Sequence, residues 1–183
     1  WRLGFDHLAL ALGAGLPSGL NIPNSMAPGM RQANDFLMAL HLTRAFRDDS
    51  IAALQVRLPA LVIGGGLTAC DTATELRAYY VTHVLQIAAR YADLARRFSV
   101  EQIQSAFEPK DWSDLKEIQD HARLIIAAKA KGDPQFLNRL LDEWGGVAIV
   151  YRKRMKDSPA YRLNHQELQH ALSEGVNFYE GLQ

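Results

Sequence analysis

Cysteine is almost absent from this sequence, with Cys70 the single example among 183 residues. One cysteine excludes an internal disulfide, a redox-active Cys-x-x-Cys pair and, within this chain, an iron–sulfur cluster held by four thiolates. The histidines at positions 7, 41, 83, 121, 165 and 170 show no metal-ligand spacing. We therefore expect no metal site, and no acid–base constellation that would mark catalytic side chains.

Net charge and long apolar runs are absent as well. The 20 Lys and Arg residues balance the 20 Asp and Glu residues, which argues against a broad nucleic-acid-binding surface. No run of about 18 apolar residues exists and no signal peptide is visible, so we expect no membrane span and a cytoplasmic location. Hydrophobic residues make up 48% of the chain, which is enough for one compact domain with a buried core.

A glycine cluster is the most informative feature that is present. The apolar residues 61–63 lead into Gly64, Gly65 and Gly66, and a long helical pattern opens at Thr68. The spacing G-x-G-x-x-A, completed by Ala69, is typical of the strand, turn and helix of a dinucleotide-binding unit. Its first glycine permits the tight turn, its second lets the pyrophosphate approach the backbone, and its third small residue lets helix and strand pack closely.

The motif alone leaves other readings open. Glycine-rich turns between a strand and a helix also occur for packing alone. Cys70 has two readings as well: the first turn of a helix lowers a thiol pKa, or Cys70 is a small packing residue.

Hydrophobic spacing predicts the other elements. We expect a buried strand over residues 5–12, a loop over 13–28 and a helix over 30–46. The second and third strands are predicted at 147–151 and 176–179, with a helix at 165–173 between them. This alternation predicts an α/β fold, a Rossmann-like nucleotide-binding domain with a parallel sheet core.

Residues 91–143 depart from that alternation, because the second strand follows the glycines by some 80 residues. The segment reads as helices throughout, so we expect an inserted helical subdomain. Ser99 is predicted to cap a helix over 100–107 and Ser113 one over 114–130; residues 132–134 stop this helix and start the next. One face of the predicted helix over 114–130 carries an apolar stripe. It predicts that the insertion packs on the long first helix, or else that it forms a docking surface for a partner. The stripe comprises Ile118, His121, Ala122, Ile125 and Ile126.

Basic residues follow the predicted second strand. In a Rossmann unit a carboxylate at this position binds the ribose hydroxyls of NAD. Here Arg152, Lys153 and Arg154 stand instead, and basic side chains suit the 2′-phosphate of NADP. A solvated basic turn is the alternative, but together with the glycine motif the cluster favours NADPH.

Several segments resemble one family. Residues 5–14, 22–24 with 29–30 and 33–37, 62–71, 147–153, and 159–160 with 171–178 occur in the same order as its motifs. The chain is similar in these segments to the glutamate synthase small-subunit-like (beta-subunit-like) FAD-dependent pyridine nucleotide-disulfide oxidoreductases. It departs from the family's pattern at Leu67, where asparagine is common, and at Lys153, which replaces the second of two arginines.

The resemblance implies a function and a division of the chain. It implies that residues 1–60 connect the FAD and NAD(P)H halves, and that 61–90 with 144–183 form the NAD(P)H-binding unit. NADPH would be positioned for hydride transfer to FAD, which other sequence would largely hold. We therefore expect a fragment of an enzyme that is inactive by itself. Its implied partners are the FAD-binding half of the same chain and an iron–sulfur or amidotransferase domain.

The predicted cofactor-binding residues comprise the turn, the basic cluster and one glycine that the resemblance implies near the flavin. They are Gly64, Gly65, Gly66, Thr68, Ala69, Arg152, Lys153, Arg154 and Gly13. The alternative function is a non-catalytic interaction or regulatory domain, in which the helical insertion docks a partner or covers the nucleotide crevice. An insertion side chain in the pyrophosphate position would favour that alternative.

Overall fold

The computed structural model of the chain describes residues 2–10, 19, 21–52, 54–132 and 134–182. In chain order the elements are α1 (Ala33–Leu42), β1 (Ala60–Ile63), α2 (Leu67–Ala95), α3 (Val100–Ser105), α4 (Pro109–Lys131), α5 (Pro134–Glu143), β2 (Val147–Tyr151), α6 (Pro159–Ser173) and β3 (Asn177–Glu180). The predicted α/β class is thus confirmed at the level of alternating strands and helices.

The sheet of these residues has three parallel strands in the order β1-β2-β3. Val62 pairs with Ile149, and Ile149 pairs with Phe178. This row faces α2, and Ile149 is fully buried there. On the opposite face Leu61, Ile63 and Tyr179 are exposed.

Helix α2 extends far beyond the sheet. Its 29 residues span about 43 Å at 1.5 Å per residue, whereas the strands have only four or five residues. Helix α2 packs on the strands, on α6 and on helices α3 and α4 of the insertion. Cys70 and Asp71 at its start adjoin α6, whereas Tyr80 and Tyr91 farther along contact α4. The predicted packing of the insertion on the long helix is therefore present, although Ile126 of the stripe is exposed.

A buried aromatic cluster joins the insertion to α2. The Tyr80 hydroxyl lies 2.7 Å from His121 Nδ1 in a hydrogen bond, and the His121 ring stacks on Trp144 at a centroid distance of 3.7 Å. Burial raises the pKa of Tyr80 to about 12 and lowers the pKa of His121. Both side chains are therefore neutral at pH 7, which is the form that a buried site favours.

The predicted strand over residues 5–12 is wrong where the structure describes it. Residues 5–10 form no strand and are exposed, with Phe5 at 64% and Leu8 at 75% exposure. Their apolar run lacks a neighbouring strand in the described part of the chain, and a strand requires a partner to satisfy its backbone groups. Residues 11 and 12 lie outside the described residues.

The predicted helix boundaries need three corrections. Helix α1 begins at Ala33 and not at residue 30, and it ends at Leu42 and not at residue 46, because Arg44 adopts a left-handed conformation with φ 52°. Ser113 does not cap a helix: α4 starts four residues earlier at Pro109, whose fixed φ suits the first helical turn. Helix α6 starts at Pro159, before the predicted position, and is interrupted at Asn164.

Other local predictions are confirmed. Ser99 caps α3 in a capping box with Gln102, and Gly132 ends α4 in the left-handed conformation. Strand β2 has its predicted bounds, whereas β3 is shifted by one residue. Asp133, predicted to cap α5, lies outside the described residues.

Candidate functional site

The glycine turn connects the carboxyl end of β1 to the amino end of α2. The Gly64 N–H donates to the Val150 carbonyl on the neighbouring strand over 3.0 Å, which extends the ladder by one step into the turn. Gly66 caps α2 with extended backbone, and its carbonyl accepts hydrogen bonds from the N–H groups of Ala69 and Cys70. The turn is therefore fixed to both the sheet and the helix.

Backbone N–H groups are free in this turn. Among the described residues, no hydrogen bond uses the N–H groups of Gly65, Gly66, Leu67 or Thr68. The first N–H groups of a helix have no partner within the helix, and the helix dipole adds a partial positive charge there. A side chain at Gly66 would meet no atom within 4 Å, so a ligand can approach the backbone at that glycine. The arrangement can accept an anion.

Two small residues at the start of α2 differ in their burial. Ala69 is buried, and its Cβ lies 3.6 Å from the position of a Cβ on Gly64, so helix and strand are close there. Thr68 is exposed on the first turn of α2. Its carbonyl accepts a hydrogen bond from the Thr72 hydroxyl.

The predicted basic cluster lies beside the glycine turn. Tyr151 ends β2, and its ring lies directly against Gly65: a Cβ on Gly65 would be 2.6 Å from Tyr151 Cδ2. Arg152 and Lys153 follow immediately and are exposed. In the described part of the chain neither side chain has an ion pair, so both are free to bind a ligand.

Arg154 differs from its two neighbours. Its Nε donates to Asp157 Oδ2 over 2.7 Å, and its Nη2 lies 3.3 Å from Asp157 Oδ1. The hydrogen bond to Asp157 raises the pKa of Arg154 and lowers the pKa of Asp157. An external phosphate would have to compete with this carboxylate for Arg154.

The last predicted residue, Gly13, lies outside the described residues. Sequence reasoning also missed two contacts of the turn, the Tyr151 ring on Gly65 and the Ala160 N–H, which donates to the Gly65 carbonyl over 2.9 Å. For Tyr151 a signal was available: residues two apart in a strand share a face, so Tyr151 had to lie on the same face of the sheet as Ile149. Ala160 lies in a segment that the family resemblance includes, residues 159–160, but that resemblance did not indicate its contact with Gly65.

Cys70 lies behind the turn in a packed environment. It is 3% exposed, and burial raises its pKa, which is the behaviour of a packing residue and not of an activated thiol. A cavity of about 170 Å³ between α2 and α6 adjoins it and is lined in part by Asp71, Glu167 and His170. Burial and the Glu167 carboxylate raise the pKa of Asp71. Over the described residues, no group of three or more His, Cys, Asp or Glu side chains is placed to hold a metal ion.

The chain is similar to part of a longer protein. The chain is 40% identical over 181 residues to a protein of Rickettsia prowazekii (strain Madrid E) described as uncharacterized protein RP006. The match covers 99% of this chain and 24% of the relative, so the chain spans about a quarter of the relative's length. No family model matches the chain, and no solved structure matches it. Among the helices of the described residues, none is long and apolar enough to cross a membrane.

Proposed function

We propose that this chain is the NAD(P)H-binding part of an FAD-dependent oxidoreductase similar to the glutamate synthase small subunit, with a preference for NADPH. The observation that carries the proposal is the juxtaposition of the glycine turn with the end of β2. Free N–H groups at the start of α2 would bind the pyrophosphate, while Arg152 and Lys153 on the adjacent strand end would bind the 2′-phosphate.

The strand order supports this proposal. In the first half of a Rossmann sheet the strands lie in the order three-two-one, with the nucleotide at their carboxyl ends. Here β3, β2 and β1 are adjacent in that order and all parallel. The glycine turn follows β1 at the carboxyl end, which is the edge where the fold places its ligand.

The position of the insertion also supports nucleotide binding. Its last helix returns to the sheet through Gly145 and Gly146 at the amino ends of the strands, where the Gly146 carbonyl accepts the Ala60 N–H. Among the described residues, Gly64 bonds to Val150, and Gly65 contacts Tyr151 and Ala160; all three partners lie outside the insertion. The alternative in which an insertion side chain fills the pyrophosphate position is therefore not favoured.

The residues present fit the two anionic groups of NADPH. Four N–H groups that bond no described residue and an open approach at Gly66 suit the pyrophosphate, and Arg152, which has no ion pair in the described part of the chain, suits the 2′-phosphate. When bound, NADPH supplies a hydride and the chain's own residues only hold and orient it. FAD rests on the sequence resemblance alone, because Gly13 lies outside the described residues and residues 5–10 do not form the expected strand.

Calorimetric titration tests this proposal. The chain is titrated with NADPH, NADH and 2′-phospho-AMP, and the titration is repeated with Arg152→Ala, Gly66→Ala and Arg162→Ala. Loss of a charged hydrogen bond predicts that Arg152→Ala weakens NADPH and 2′-phospho-AMP by roughly 10- to 100-fold and NADH far less. Gly66→Ala should weaken NADPH and NADH together, because its methyl group would occupy the approach to the pyrophosphate.

Arg162→Ala is the matched control. Arg162 is an exposed arginine on α6 and is not one of the predicted ligand-binding residues, so its removal changes the net charge by the same amount as Arg152→Ala. Equal losses in the two arginine variants would mean that general charge attracts the nucleotide, and would overturn the assignment of Arg152. If the wild-type chain binds none of the three ligands, the chain by itself is not a nucleotide-binding unit.

The interaction-domain alternative retains one supporting observation. Leu124 and Ile126 on α4 are 43% and 57% exposed, and exposed apolar residues on a helix are compatible with docking a partner. Substituting both residues by glutamine would reduce association with a partner protein and leave nucleotide affinity unchanged. The two functions are thus separable, because Leu124 and Ile126 lie on α4 whereas Arg152 follows the end of β2.

A further inference from the structure

We infer that Tyr151 is a positioning residue for the nucleotide: its ring holds the middle of the glycine turn in the conformation that accepts the pyrophosphate. This inference rests on the proposed function, since it concerns the same site. It adds a residue that neither the glycine motif nor the basic cluster includes among its ligand-binding members.

The position of the ring follows from the strand register. Tyr151 lies two residues after Ile149 and so on the same face of the sheet, the one that α2 covers. It is the last residue of β2, level with the start of the turn, because Ile63 pairs with the preceding Val150. The side chain therefore meets the turn and not the body of α2.

The face of the Tyr151 ring lies close against the backbone of Gly65. A Cβ on Gly65 would lie 2.6, 2.7 and 2.9 Å from Cδ2, Cε2 and Cγ of Tyr151. Three ring atoms at similar short distances mean that the ring face covers the Gly65 Cα, where only glycine leaves room. Phe178 on β3 supports the ring from another side, edge to face at a centroid distance of 6.5 Å.

The peptide beyond Gly65 is fixed at its carbonyl. The Gly65 carbonyl accepts the Ala160 N–H over 2.9 Å, and Ala160 is itself held in the first turn of α6, which the buried Ser158 caps. In a trans peptide the C=O and the next N–H point in opposite directions. The Gly66 N–H must then point away from the Ala160 N–H, and no hydrogen bond among the described residues uses it.

Tyr151 thus connects the two parts of the proposed site, the glycine turn that would bind the pyrophosphate and the Arg152 side chain that would bind the 2′-phosphate. Its ring prevents the Gly65–Gly66 peptide from rotating, and its backbone continues directly into Arg152. A rigid unit that presents the N–H groups and the guanidinium together lowers the cost of ordering the site on binding. Since the ring acts on the pyrophosphate end, its loss should affect NADPH and NADH alike, unlike the loss of Arg152.

The test compares Tyr151→Ala, Tyr151→Phe and Tyr179→Ala by calorimetry with NADPH and NADH. Tyr179 is the matched control, because it is an exposed tyrosine of β3 on the opposite face of the sheet. Loss of preorganisation should weaken both nucleotides about tenfold in Tyr151→Ala. Tyr151→Phe, which keeps the ring, and Tyr179→Ala should bind within about twofold of the wild type.

A second measurement does not require a ligand. Amide hydrogen exchange at Ala160 reports the bond to Gly65, and it should become faster in Tyr151→Ala while α2 amides remain protected. If Tyr151→Ala does not fold, Tyr151→Leu carries the same test, because leucine keeps apolar bulk but not the flat ring.

The outcomes separate the two proposals. Wild-type binding with unchanged affinity in Tyr151→Ala would overturn the positioning role and leave the proposed function intact. Loss of NADPH alone would also overturn it, because the ring would then act at the 2′-phosphate. If the wild-type chain binds neither nucleotide, the proposed function fails, and the positioning role fails with it.

Discussion

The guanidinium of Arg77 fills the space into which a side chain at position 175 would extend. Arg77 lies on α2, is 4% exposed and reaches the turn after α6, where a Cβ on Gly175 would be 2.6 Å from its Nη2. Its Nη2 also donates to the Asn138 carbonyl, and Nη1 lies 3.0 Å from Asp142 Oδ1. One buried cation thereby joins the end of the insertion to the turn that precedes β3.

Gly175→Ala should consequently destabilise the chain more than the same substitution at Gly132, a left-handed glycine with open space around it. Both Gly175 and Gly132 have positive φ, 88° and 65°, but a Cβ on Gly132 meets nothing within 4 Å. Left-handed strain alone predicts a loss of about 1 to 2 kcal/mol in Gly132→Ala. Overpacking against Arg77 should add about 1 to 3 kcal/mol in Gly175→Ala. Urea unfolding of both variants checks this, and equal losses would show that Arg77 yields freely.

Two neighbouring tyrosines provide a matched pair for the buried hydrogen bond. Tyr79 and Tyr80 are each 3% exposed, but the Tyr80 hydroxyl bonds His121 whereas the Tyr79 hydroxyl has no hydrogen-bond partner among the described residues. Tyr80→Phe leaves a buried imidazole nitrogen unpaired and should lower the free energy of unfolding by about 1 to 3 kcal/mol. Tyr79→Phe removes an unpaired polar group and should be neutral or stabilising. The reverse order in chemical denaturation would refute this assignment.

Stability should fall on acidification because of His83. Burial, together with the positive charge of Arg90, lowers the pKa of His83 to about 4 from its ordinary value of 6.5. Between these values the unfolded chain binds a proton that the folded chain does not, so the free energy of unfolding decreases as pH falls through this window and levels off below it. The difference between the two pKa values corresponds to about 3 kcal/mol.

His83→Gln should flatten that pH dependence. His165→Gln is the control, because His165 is exposed on α6. Denaturation between pH 7 and pH 4 is compared for both variants. The wild-type slope also contains His121, whose pKa is lowered by burial, so His83→Gln reduces the slope without abolishing it. Parallel curves for His83→Gln and the wild type would contradict the prediction.

The two faces of the sheet should respond differently to truncation. Ile149 is fully buried under α2, whereas Ile63 on the opposite face is 48% exposed. Ile149→Ala should cost about 3 kcal/mol, since it leaves a cavity in the core. Ile63→Ala should cost less than about 1 kcal/mol in thermal or urea unfolding of this chain. A large loss in Ile63→Ala would show that this face is covered in solution.

Local signals account for the parts of the fold that the sequence predicts correctly. The glycine cluster after an apolar run predicts the β1–α2 junction, because a tight turn from a strand into a helix requires residues without bulky side chains. The capping box at Ser99 and the left-handed Gly132 are likewise interactions within a few residues. The errors have a different origin: the apolar residues 5–10 read as a strand, but a strand depends on partners far away in the chain.

The sequence by itself determined the order of strands and helices, the glycine turn, and the residue types at the candidate site, because these depend on local backbone preferences and on hydrophobic periodicity. Tertiary structure alone decided which of those residues are free to act. It brought the Tyr151 ring onto Gly65, engaged Arg154 with Asp157 and left Arg152 unpaired in the described part of the chain. It also placed the insertion against α2. Such relationships depend on strand register and helix packing between residues distant in the chain, and no local pattern encodes them.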